Sequence, residues 1–277
     1  MTTVSPIEPA PLAQAPARGA MRYAPLFRNL VKREVRQRYK GSALGLAWTL
    51  VTPAIMIGAY SLVFKFLLRI QIPYYALFLL VGLTVWTFFL GGLQIAARSL
   101  IANANLVTKV RFPREIVPLA AMTGNAFTAG AMLVVTLPLC AALSVESLWP
   151  LVTLPALIAL LAMFTAGLGL AMSAVNVYFR DVEHILNAIA LPWIFLSPVF
   201  YTFDTVPGLS GEHAWVEALL HWGNPIAPYI ITIQDALFFG TWPPVADVVY
   251  CLGVGAATLA AGWWLFHRLE PEMAVEL

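Results

Sequence analysis

With 277 residues, 60% of them hydrophobic, 11% charged and a mean hydropathy of +0.80, the chain stands far from a soluble domain, where about 25% of residues are charged. Nearly all of its length is taken up by apolar stretches long enough to cross a bilayer, which needs about 20 helical residues each, so no second, soluble domain is expected. The formal net charge of +2 carries meaning only through where the charges stand.

Residues 1–21, in the Pro- and Ala-rich opening MTTVSPIEPAPLAQAPARGA, lack the apolar core of a signal peptide and read as a disordered tail. The next stretch is amphipathic. Projected at about 100° per residue, Leu26, Phe27, Leu30, Val31 and Val35 fall on one side of a helix over 24–40, and Arg28, Lys32, Arg33, Arg36 and Lys40 on the other. Such a helix lies in the membrane interface with cations toward anionic headgroups. Glu34 and Arg38 project into the apolar arc, spaced i and i+4 with the acid first, the favourable order for an ion pair; that part of the helix is expected to face protein. At Gly41-Ser42 the chain must turn from lying along the membrane to crossing it, and glycine supplies the backbone freedom. Gly41 and Gly45 also make a small-xxx-small spacing.

Six spans follow, at about 46–68, 76–97, 116–143, 151–175, 185–203 and 245–266. Eight of the sixteen Lys and Arg side chains precede the first span, and four (Arg98, Lys109, Arg111, Arg114) stand in the second loop. Arg180 lies in the fourth loop and Arg268 in the tail; Lys65 and Arg69 belong to the first loop, and the fifth has no basic residue. This asymmetry puts both termini on the cytoplasmic side. The only charges inside the spans, Lys65 and Asp247, are close to their ends, which disfavours an ion-coupled mechanism, since secondary transporters place such groups near the midplane. Cys140 and Cys251 read as small apolar side chains in helices rather than as a disulfide.

Three loops have character of their own. In the second, SLIANANLVTKVRFPRE combines apolar Leu100, Ile101, Leu106, Val107 and Val110 with basic Lys109, Arg111 and Arg114, and Pro113 ends any helix near Phe112. A short amphipathic helix at about 99–112 is expected, either a plain lipid-surface helix or a contact element. The fourth gathers Arg180, Asp181, Glu183 and His184 within five residues. That cluster is an acid/base set of a membrane-bound transferase or a solvated cap whose carboxylates suit the start of the next helix. The fifth, 205–242, is too apolar for an ordinary loop and too interrupted, by Asn224-Pro225 and Pro228, for a seventh span. It reads as a re-entrant helix pair buried in protein or as a pair lying flat on Trp215, Trp222 and Tyr229.

Several of these stretches together resemble one family. The pattern R-x-R-Y-K-G-S-x-L-G-x-x-W at Arg36–Trp48, NANLVTKVRFPREIVPL at Asn103–Leu119, NVYFRDVEHIL at Asn176–Leu186, FLSPVFY at Phe195–Tyr201 and WGNPIAPYI at Trp222–Ile230 are similar, in order and spacing, to permease subunits of type-2 ABC transporters of the Wzm-like, polysaccharide-exporting kind. The resemblance implies an all-α integral membrane protein with six transmembrane helices, an N-terminal interface helix and a re-entrant pair before the last span, filling residues 22–277. It implies a homodimer with a channel at its two-fold axis and a lipid-linked polysaccharide such as an O antigen as substrate. Two copies of a separate ATPase would bind ATP and Mg, because this chain has no G-x-x-x-x-G-K-[ST] loop. The location is then the bacterial inner membrane; neither nucleic acid nor a cofactor or metal bound to this chain is expected, and no residue is catalytic.

The second loop is similar to the family's coupling helix, so Asn105, Lys109, Arg111 and Arg114 are expected to touch the ATPase, as are Glu34 and Arg38 on the first helix and Arg180 and Asp181 in the F-R-D turn. Trp48, Tyr60, Trp86, Trp193 and Tyr201 are candidates to line the channel, since aromatic faces stack on sugar rings without a fixed hydrogen-bond register. A teichoic acid or other envelope-glycan exporter shares all of these motifs, and a glycosyl- or acyltransferase using Asp181, Glu183 and His184 is the reading from another class.

Overall fold

The computed structural model of the chain describes residues 23–41, 45–67, 71–206 and 214–277. The expected disordered tail lies outside the described residues, as do Ser42 and Arg69. The described residues form helices α1 (Ala24–Tyr39), α2 (Trp48–Tyr60, continued by a π-helical stretch Ser61–Leu67), α3 (Tyr75–Ala102), α4 (Ala104–Lys109), α5 (Ile116–Leu143), α6 (Leu154–Tyr178), α7 (Val182–Leu196), α8 (Ala214–Trp222), α9 (Ala227–Gln234, continued as a π turn Asp235–Phe239), α10 (Val245–Leu269) and α11 (Met273–Glu276). There is no strand among them.

Five of these segments, Trp48–Lys65, Tyr75–Ala102, Ile116–Leu143, Trp149–Tyr178 and Val245–Leu269, are long and apolar enough to cross a membrane. The remaining expected span, 185–203, forms as the 15-residue α7, short of the roughly 20 residues of a straight crossing. Its end is corrected from Phe203 to Leu196. Ser197 stands before Pro198 and is forced into an extended conformation (φ −102°, ψ 145°) that no helix continues.

One end of the bundle gathers the basic elements. There Leu30 of α1 packs with Leu100, Val107, Val117, Leu170, Val177, Phe266 and Met273, so that α1, α4 and α11 close over the ends of α3, α5, α6 and α10. The apolar side of α1 is therefore turned onto the chain itself: Leu26, Phe27 and Val31 pack against this cluster, a correction to the expected burial in the acyl boundary. Glu34 and Arg38 do face protein, but not as a pair. The Cβ of Glu34 lies where a side chain on Gly124 of α5 would go, and its carboxylate is 3.9 Å from Arg33. Arg38 instead donates to Asn125 Oδ1 (3.2 Å) and Thr128 Oγ1 of α5. Two helical amide and hydroxyl acceptors on the neighbouring helix outcompete the local i, i+4 carboxylate.

α3 is the central helix and is buried over most of its length. Helices in lipid gain nothing from further hydrophobic burial, so close van der Waals approach at small residues takes over. α6 and α10 meet backbone to backbone: a Cβ on Gly262 would overlap the carbonyl of Gly167, and one on Gly167 would overlap the chain at Thr258–Leu259. Gly41 and Gly45 serve a different end. Both have positive φ (79° and 49°), a conformation that glycine adopts at no steric cost, and both stand between α1 and α2 where the chain changes direction.

The fifth loop folds as a helix pair that turns inside the bundle. At the turn, Asn224 is buried; its amide donates to Leu196 O (3.2 Å) and Ser197 Oγ (2.9 Å), and its Oδ1 accepts from Trp193 Nε1 (2.9 Å). Trp193 in turn meets Phe89, at the middle of α3, edge to face at 5.2 Å. α9 then runs outward through the core, with Tyr229 stacked on Phe164 at 5.0 Å and donating to Cys251 O at 2.6 Å. It ends at Gly240 (φ 68°) against the loop after α5, where Glu146 N donates to Phe239 O. Residues 207–213, at the start of the pair, lie outside the described residues. Cys140 and Cys251 are both buried and free.

Candidate functional site

Two places in the fold offer more than packing: a cavity between α2, α3, α5 and α7, and the surface at the basic end. The cavity has a volume of about 610 Å³, within the roughly 300–1,000 Å³ of ligand pockets. Its character changes along its length. Toward the basic end it is lined by Arg38, Thr128, Gln94 and Asn187, and further along by Met56, Leu83, Leu90 and Ile194. Gln94 Nε2 donates to Asn187 Oδ1 at 2.7 Å, which ties α3 to α7 across the polar end. At the far end Tyr60 tilts on Phe200 at 4.5 Å, and Phe200 also meets Phe64 (4.9 Å) and Phe195 (5.2 Å). Tyr60 is the member of this aromatic cluster that lines the cavity.

Three of the expected channel aromatics, Trp48, Tyr60 and Trp86, line this cavity. Trp193 stands behind Trp86, edge to face at 6.1 Å, with its indole N–H committed to Asn224. Tyr201 lies past α7, outside the cavity; its hydroxyl donates to Phe195 O at 3.2 Å, and burial raises its phenol above the ordinary value.

The expected contact helix at 99–112 is corrected in extent. α3 continues to Ala102, Asn103 interrupts it, and α4 occupies only Ala104–Lys109 before the chain extends at Val110. Asn103 donates from Nδ2 to Ser99 O (2.8 Å) and accepts from Arg33 on α1. A side-chain amide bonding back to the preceding turn competes with helix continuation there. Asn105, Lys109 and Arg111 are exposed. Arg114 is engaged instead, donating to the carbonyl of Glu270 at the end of α10. Arg180 and Asp181 stand exposed in the turn between α6 and α7. In the expected acid/base cluster Glu183 is 3.9 Å from Arg98, while Asp181 and His184 are exposed. Close by, Glu115, His267 and Glu270 bring ligand atoms within 4.8 Å of one another, the only such grouping found among the described residues.

Sequence reasoning missed four polar residues that the fold uses: Asn103, Asn125, Asn224 and His221. Asn125 sits alone in the apolar run AMTGNAF, and an unaccompanied amide in a span was the available signal, because it must find partners inside the protein. It does so through Arg38 and through the carbonyl of Phe88 at 3.0 Å. His221 of α8 reaches the carboxylate of Asp247 on α10 at 2.8 Å. Asp247, 2% exposed, is thus a paired buried acid and not a free charge at a span's margin.

A bundle of long apolar helices with a largely apolar cavity, polar at one end, and an exposed basic helix is the framework of a multi-pass membrane transport subunit. The chain belongs to the ABC-2 type transporter family, whose description matches residues 25–238. It is 30% identical to the "O-antigen export system permease protein RfbA" of Myxococcus xanthus, over 91% of this chain and 95% of that protein. It is also 30% identical to the protein of the same name from Klebsiella pneumoniae, over 88% and 92%. Family membership makes the chain a transporter rather than an enzyme, and the transferase reading falls with it.

Proposed function

We propose that this chain is the permease subunit of an ATP-driven exporter that moves a lipid-linked polysaccharide of the O-antigen type across the bacterial inner membrane. The observation that carries the reading is the similarity, over about nine-tenths of the chain, to two proteins named as O-antigen export permeases. The cavity and the exposed basic surface support it. Two copies associate around a channel, a reading supported by the exposed apolar side chains of α2 and α7, among them Ile55, Leu62, Ile185 and Leu191. The basic end is cytoplasmic, a reading supported by the distribution of Lys and Arg, and both termini are on that side. ATP and Mg are bound by two copies of a separate ATPase, which docks on α4 and the turn between α6 and α7 through Asn105, Lys109, Arg111, Arg180 and Asp181.

Affinity purification from native membranes is expected to bring a P-loop ATPase with the chain, and vesicles are expected to export glycan only when ATP is supplied. Copurification without any ATPase, with export persisting after ATP depletion, overturns the proposal. Lys109→Glu with Arg111→Glu is expected to abolish ATPase association while leaving the monodispersity of the purified permease unchanged. Arg114→Glu is expected to lower the unfolding temperature as well, because Arg114 holds the end of α10. Association that survives the Lys109/Arg111 double change removes α4 as the docking element.

A further inference from the structure

Where α5 begins and α10 ends, the basic end of the bundle holds three side chains with ligand atoms to offer. Glu115, the residue before α5, and His267 and Glu270, at the end of α10, each bring one such atom within 4.8 Å of the others. His267 and Glu270 are spaced i and i+3, which puts both on one face of the helix. We infer that Glu115, His267 and Glu270 form a binding site for one divalent transition-metal ion, with zinc the ion that this donor set suits best. The site is independent of what the permease carries.

His267 is set up as a ligand. Its Nδ1 is 3.0 Å from the carbonyl oxygen of Trp263, and since a carbonyl only accepts, Nδ1 carries the proton and the neutral ring offers the lone pair of Nε2. Metal-binding histidines are generally oriented in this way, the other ring nitrogen donating to a carbonyl or a carboxylate. Nε2 lies 4.0 Å from Glu270 Oε2. Glu115 supplies the second, separate indication: its Oε2 is buried and has no hydrogen-bond partner, a state that is costly for a carboxylate without a compensating charge. No Lys or Arg among the described residues is within ion-pair distance of either glutamate. Arg114, beside Glu115, donates to the backbone carbonyl of Glu270, and Arg268 lies over the ring of Trp264 at 5.2 Å. The Arg114 bond draws the two helix ends together, and two acids meet there with a histidine as their nearest counterpart.

One imidazole with two carboxylates selects among cations. Mg and Ca take all-oxygen surroundings, whereas a mixed nitrogen and oxygen set suits zinc and its first-row neighbours. Tetrahedral zinc holds its ligand atoms about 3.4 Å apart, closer than the 4.0 Å between Nε2 and Oε2; the glutamate torsions close that gap while His267 keeps its bond to Trp263. Three protein ligands leave a fourth position for water. Access is open, because His267 is exposed and Glu115 lines an opening of about 330 Å³ between the starts of α1 and α5, beside Tyr23, Phe27 and Pro113. A bound ion fastens the start of α5, just past α4, to the end of α10.

The test is zinc binding by the tag-free, full-length permease, purified in detergent and stripped of metal with a chelator. Metal content after gel filtration is expected to reach one zinc per chain, and the unfolding temperature is expected to rise with free zinc. Mg in large excess is expected neither to displace the zinc nor to raise that temperature. His267→Ala, Glu115→Gln and Glu270→Gln are each expected to weaken binding by at least about 100-fold, since losing even a residue that only orients a ligand costs about 10- to 100-fold. His184→Ala, at an exposed histidine of α7, is expected to leave binding unchanged. In the wild type, zinc is expected to protect His267, and not His184, from diethyl pyrocarbonate, read by mass spectrometry, a measurement that needs no variant to fold. Less than one zinc per chain at saturation, displacement by Mg, zinc retained by the His267 and Glu115 variants, or modification of His267 at the same rate with and without zinc overturns the inference.

Discussion

Gly262→Val is expected to lower the stability of the purified protein more than any other single apolar substitution in α10. The side chain would have to occupy the position of the Gly167 carbonyl, which belongs to a helix backbone and cannot step aside as a side-chain tip does. Overpacking a core typically costs about 1–3 kcal/mol, and a clash with a helix backbone places this variant at or beyond the top of that range. Thermal unfolding followed by size-exclusion in detergent reads the effect. Gly253, on the same helix, is the control, because a Cβ there meets nothing within 4 Å; Gly253→Ala is expected to be neutral or slightly stabilising. Equal unfolding temperatures for the two variants would mean that α6 and α10 do not cross at Gly167 and Gly262.

His221→Ala is expected to be the second large effect. Asp247 is 2% exposed and its Oδ1 is 2.8 Å from His221 Nε2, with the ring itself packed between Phe203 (5.6 Å) and Trp222 (4.3 Å). Removing the imidazole strands a buried carboxylate, a change that costs about 3–5 kcal/mol when one partner of a buried pair is lost. Asp247→Asn keeps the shape without the charge and is expected to cost less. The decisive measurement is a double-mutant cycle. His221→Ala combined with Asp247→Ala should be more stable than His221→Ala alone, and strict additivity would rule out the pairing.

The long elements were legible in the sequence because uninterrupted apolar runs have few alternatives. The expected 116–143 and the observed Ile116–Leu143 coincide, with Pro113 setting the start. Where competition between local and distant partners decided the outcome, the sequence spoke less clearly. Glu34 and Arg38 have favourable i, i+4 spacing, yet Asn125 and Thr128, some ninety residues away, take the arginine. The apolar side of α1 was visible as a stripe, but a stripe does not say whether lipid or the protein's own helix ends will cover it. α7 was drawn too long because Phe195–Phe203 is as apolar as a helix interior; the conformational restriction that Pro198 places on Ser197 was the signal against it.

The candidate site divides in the same way. That Lys109 and Arg111 would be exposed follows from an amphipathic stretch with charges on one side. The roles of Asn224 and His221 could not be read locally, since their partners, Trp193, Ser197 and Asp247, come from other helices. Both residues looked like ordinary punctuation in an irregular loop. Only the turn of the helix pair into the bundle gives them something to hold.

The glycine contact between α6 and α10 also bears on motion. Where two backbones touch, neither helix can roll without losing that contact, so Gly167 and Gly262 hold α6 and α10 together as a pair. α2 contributes only Thr49 and Pro53 to the buried residues and begins at glycines suited to swivelling. Of the helices that wall the cavity, α2 therefore has the least packing to lose if a path beside it widens.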